Sequence, residues 1–223
     1  MHLLCISKYF KMEEKYLNDI SEIKNMMSKS SQFISLSGFS GILAGFYALI
    51  GAFFARQILF INRNLNVEYS NINISTKTTY QEIEMKLYFI AFTVLLASII
   101  TAGILTHLKA KKQNEKIWNS TSKRMIANFL IPLATGGIFG LILLRNQYYG
   151  LIAPITLIFY GLACINASKY TLRDVRYLGL TIVIIGLVCT EFTGYSLEFW
   201  ALGFGVCHVL YGSIMYYKYD FKS

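Results

Sequence analysis

Apolar residues gather in six long runs, at 33–54, 87–106, 125–144, 148–167, 177–190 and 199–217, and polar stretches separate them. None of the six contains Asp, Glu, Lys or Arg. A helix crossing the ~30 Å hydrocarbon core at ~1.5 Å per residue needs about 20 mostly apolar residues. Five runs meet that length, and the fifth in order, 177–190, falls short. The pattern predicts an all-α polytopic membrane bundle of six transmembrane helices. The first run follows a charged segment of more than 30 residues, which is not the layout of a cleavable signal peptide.

Other periodicities lie between the runs. In 12–30, Tyr16, Leu17, Ile20, Ile23 and Met27 share one face at helical spacing, which predicts an amphipathic helix lying on the membrane surface. Met12 offers an alternative start to the chain. From Ile61 to Ser70 apolar or long side chains alternate with polar ones, a period of two that predicts a small hairpin in the 55–86 loop. The basic 107–124 loop carries Trp118, which suits the headgroup region. The segments FYALIGAFFAR (46–56) and FYGLACINASK (159–169) match weakly and lie in runs of opposite direction, as two inverted halves would.

Composition agrees with the runs: 55% of residues are apolar and 15% charged, against about 25% charged in ordinary soluble chains. Charge then sets an expected orientation. Sixteen Lys and Arg fall in the N-terminal segment, the second and fourth loops and the C-terminal tail; five (Arg56, Arg63, Lys77, Lys86 and Arg145) fall on the other side. The positive-inside rule places both termini in the cytoplasm. The organisation read from this is a cytoplasmic segment at 1–32, a six-helix domain at 33–217 and a tail at 218–223. The net charge of +9 belongs to the cytoplasmic face, so anionic lipid headgroups are the expected partner. A second copy or a protein subunit is a further candidate. Nucleic acid is disfavoured, because no recognition motif accompanies the charge. The four cysteines form no C-x-x-C and imply neither a disulfide framework nor a metal site.

Small residues mark the first run: Gly38, Gly41, Gly45, Ala48, Ala52 and Ala55 recur at steps of three and four. Helices in lipid associate through such faces, so this helix is expected at the centre of the bundle. Gly38-Phe39-Ser40-Gly41 is also the G-x-S-G pattern of rhomboid proteases, and His208 in the last run would supply a base. The serine stands on the first span instead of the fourth, Gly212 follows the histidine by four residues, and no H-x-x-x-N is present on the second span. The resemblance is therefore read as coincidental, with Ser40 and His208 kept as a candidate catalytic pair.

A broader resemblance covers KNMMSKSSQFISLSGFSGILAGFYALIGA (24–52), YTLRDVRYLGL (170–180) and WALGFGVCHVLYG (200–212). These segments resemble a family of small six-span bacterial membrane proteins with no assigned activity. The resemblance implies topology and a bacterial inner-membrane location, and transfers no site.

His208 lies on the small-residue side of its run with Ala201, Gly205 and Gly212, and an ionisable residue inside a span usually faces the bundle interior. The expected function is a small-molecule binding or transport bundle with a polar pocket of His208, Tyr47, Glu191 and Asn166. Glu191 would otherwise pair with Arg145 or Lys86. The alternatives are a structural or regulatory subunit without ligand, and a serine hydrolase. No cofactor is expected. Haem held by His107 and His208 is disfavoured by a depth difference of ~14 Å along the helices.

Overall fold

The computed structural model describes Tyr16 and residues 38–68, 76–112 and 117–220. The described chain is helical, with no strand. In order come α1 (Gly38–Glu68), α2 (Thr76–Lys112), α3 (Ser120–Arg145), α4 (Ile152–Ala167), α5 (Asp174–Glu191) and a final continuous helix α6 over 196–220. One-turn 3₁₀ segments, Tyr149–Leu151 and Thr193–Tyr195, lead into α4 and α6. Within α6, Ala201–Val206 and Tyr216–Asp220 are wound as π-helix.

Five stretches are long and apolar enough to cross a membrane: Gly38–Ile61, Glu82–Lys112, Ser120–Arg145, Tyr149–Ala167 and Thr193–Tyr219. The remaining helix, α5, has 18 residues with Asp174, Arg176 and Glu191 near its ends, about 27 Å of rise. The surface is sorted by size. Phe53, Phe54, Phe89, Phe92, Ile99 and Ile104 face outward, while Ala48, Ala52, Ala55, Ala163, Ala167, Cys164 and Cys189 are buried. Water would not tolerate that much exposed apolar surface. Lipid solvates it, and close helix contact uses the small residues.

Two antiparallel pairs form the frame. In the first, α1 meets α6 along a seam of glycines. A methyl group on Gly38 would strike the backbone of Met215 and Tyr216, and one on Gly41 would touch Gly212. A methyl group on Gly45 would lie 2.7 Å from the Gly205 carbonyl oxygen. The second pair repeats the device: a Cβ on Gly161 of α4 would lie 2.7 Å from the Gly179 carbonyl oxygen of α5. The pairs join where α6 lies on α4 and α5, around Leu157, Leu178, Ile182 and Cys207. Outside this frame α2 packs on α1, and α3 on α4, where Gly136 admits Phe159. Tyr149 Oη donates to Glu84 at 2.5 Å, tying α2 to the start of the apolar stretch Tyr149–Ala167.

The hairpin expected in 55–86 is corrected. α1 stays helical through Glu68 and α2 begins at Thr76, leaving 69–75 outside the described residues. The alternation was compatible with a strand, yet extending an established helix adds a backbone bond per residue without a new nucleus. A lone hairpin has no sheet to join. The amphipathic N-terminal helix of 12–30 lies outside the described residues apart from Tyr16, which is helical. Asn119 begins α3 with a reciprocal cap: its side chain accepts from Ser122 N at 2.7 Å, and its own N–H donates to Ser122 Oγ at 3.0 Å. Pro132 sits inside α3 without ending it.

Candidate functional site

His208 is a buried ionisable residue of the frame, 7% exposed on the inward face of α6. Two features of the sequence bring it there. Gly205 and Gly212 keep α6 against α1 on one side. On the other, Gly203 leaves room for Leu157 of α4. Normal α-helical winding is interrupted here: the N–H of Cys207 reaches back to the Leu202 carbonyl, one residue further than in an α-helix.

Both ring nitrogens are bonded. Nδ1 lies 3.1 Å from the Gly203 carbonyl oxygen, five residues back, and Nε2 lies 2.7 Å from Tyr160 Oη of α4. A carbonyl oxygen only accepts, so Nδ1 carries the proton. The Nε2 lone pair of the neutral ring then accepts from the tyrosine hydroxyl. Phe204 stacks on the imidazole with ring centres 6.0 Å apart, and Tyr160 packs against both Phe204 and Phe129. Trp200 extends the aromatic cluster, 5.0 Å from Phe204.

The other candidates are dispersed. Tyr47 of α1 turns toward α2, where its hydroxyl lies 3.4 Å from Thr101 Oγ1. Thr101 also bonds the Ala97 carbonyl within its own helix. Asn166 is half-buried near the end of α4 that leads to Lys169. Glu191 closes α5 at the opposite end and is exposed, without an ion pair to Arg145 or Lys86. Ser40 is buried in α1 and is engaged in the fold. His208 thus spends both ring nitrogens on Tyr160 and Gly203, and neither bonds Ser40, Tyr47, Asn166 or Glu191.

No known family model, curated protein or solved structure matches the chain. The arrangement itself must carry the reading. No cluster of three or more metal-ligating side chains exists among the described residues. Sequence reasoning missed Tyr160, the partner of His208, and the released carbonyl of Gly203. A signal for Tyr160 was present: a tyrosine in the middle of an apolar span needs a bonding partner for its hydroxyl.

Proposed function

We propose that this protein is an integral membrane bundle with a structural or regulatory role, in which His208 locks two helix pairs together. Six crossings, with both termini in the cytoplasm of a bacterium, complete the reading. Its support is the distribution of charge along the helices. Lys109, Lys111, Lys112, Lys123, Arg124, Lys169, Arg173, Arg176 and Lys218 lie toward one end of the bundle, and Arg56, Lys86 and Arg145 toward the other.

One observation carries the structural role: both nitrogens of His208 are satisfied inside the protein. A ligand-binding or basic histidine needs a nitrogen directed at its substrate. The hydrolase reading lacks that nitrogen. The test is a double-mutant cycle of His208→Leu and Tyr160→Phe, followed by reversible unfolding in mixed micelles. Each single variant is expected to be less stable. The coupling should be about 0.6 kcal/mol, the average for interhelical hydrogen bonds in membranes, and should not exceed the ~1.7 kcal/mol maximum. A His208→Leu variant more stable than wild type, with no coupling to Tyr160, would sink this reading.

Small-molecule binding or transport is kept as the second reading because of the π-helical turn at Ala201–Val206 beside the histidine. Such turns occur often at functional sites. It requires Tyr160 to leave Nε2 as a ligand arrives, which would change the emission of Trp200 across the Phe204 contact.

A further inference from the structure

The last two turns of α6 carry a shallow open groove of about 540 Å³, lined by Ser213, Ile214, Tyr217 and Lys218. Its wall is apolar for a local reason. The Ser213 hydroxyl is turned back onto the Val209 carbonyl at 2.7 Å, which leaves the exposed faces of Ile214 and Tyr217 to form the surface. At its end stands Lys218, whose ammonium bonds both carboxylate oxygens of Asp174, at 3.2 and 3.0 Å. The same ammonium lies 5.0 Å from the centre of the Tyr219 ring. A flexible lysine is thereby held in one place while its side chain stays 53% exposed.

We infer that this groove holds one anionic phospholipid, with an acyl chain along Ile214 and Tyr217 and the phosphate at Lys218. Three observations select that occupant. The groove lies at the end of the membrane-crossing stretch Thr193–Tyr219, where hydrocarbon gives way to headgroups. Exposed Tyr177, Tyr216 and Tyr217 surround that level, as interfacial aromatics do. Charge is complementary as well. Lys169, Arg173, Arg176 and Lys218 stand against Asp174 in the two converging stretches, an excess of three positive charges.

The inference rests on membrane insertion and not on the role of His208, so either can fail alone. The experiment reconstitutes the full chain into nanodiscs of phosphatidylcholine with a minority of phosphatidylglycerol. Lipid retained after release is then counted by native mass spectrometry. One phosphatidylglycerol per chain is expected to remain in preference to phosphatidylcholine. Lys218→Gln should weaken that retention about fivefold, the effect of removing one basic residue near a charged surface. Ile214→Trp, which fills the groove from an exposed position, should abolish it, and Lys112→Gln on α2 should leave it unchanged. Circular dichroism and size-exclusion chromatography confirm that each variant is folded. Equal losses in Lys112→Gln and Lys218→Gln would mean a diffuse surface field and overturn the site. Equal retention of the two lipids, or full retention in Ile214→Trp, would overturn it too.

Discussion

At His208 the ring makes two hydrogen bonds in a medium that supplies no water to replace them. Losing Tyr160 Oη therefore leaves a buried nitrogen without a donor, a loss that costs about 1–3 kcal/mol when the orphaned group stays dry. Tyr160→Phe is expected to lower the unfolding free energy by an amount of that order. The double variant with His208→Leu should regain part of it, since two apolar groups leave nothing unpaired. The surface lysine differs. Lys218 is half exposed, and exposed ion pairs contribute under about 1 kcal/mol. Asp174→Asn should change thermal stability little, a result checked by the same unfolding assay. The seclusion of His208 was legible, because its neighbours at helical spacing are glycine and alanine. Its partner was not, because nothing local relates position 160 to position 208.

Between elements, stability rests on how closely backbones approach. Gly45 and Gly161 occupy equivalent places in the two antiparallel pairs, each with a valine (Val209 or Val183) and a glycine carbonyl (Gly205 or Gly179) against it. The weak repeat does not explain this equivalence, because aligning Phe46 with Phe159 sets Gly45 beside Ile158. The common cause is the geometry of a close crossing, which admits only a residue without Cβ. Gly45→Leu and Gly161→Leu should each separate a pair, costing ~1–3 kcal/mol or more in the folded bundle. Gly103→Ala and Gly137→Ala meet no atom within 4 Å and should be neutral or slightly stabilising. Unfolding of these four variants in micelles checks the contrast. If all four behave alike, packing at the seams is not what holds the pairs.

For the whole molecule, charge and membrane act together. Fusing a reporter after Ser223 tests the proposed orientation: a fluorescent protein should mature and alkaline phosphatase should stay inactive if the C-terminus is cytoplasmic. The opposite result would reverse the bundle. α5 is the element to map in the same way, by fusions after Arg173 and Glu191. Reporters that disagree between those two positions place α5 across the membrane. Agreement leaves five crossings.

The linear order of residues was enough to determine the helical class, the limits of the apolar runs and the face of α1 that turns inward. Each depends on local spacing and on the bilayer thickness, which are the same for any partner. The tertiary structure decided what lies against those faces. It put α6 on α1, α5 on α4, Tyr160 on His208 and helix where an alternating stretch had suggested strand. These outcomes come from contacts between positions far apart in the chain, whose energies depend on shape at close range. Polar residues grouped by type alone, such as Tyr47, Asn166 and Glu191, were dispersed for the same reason.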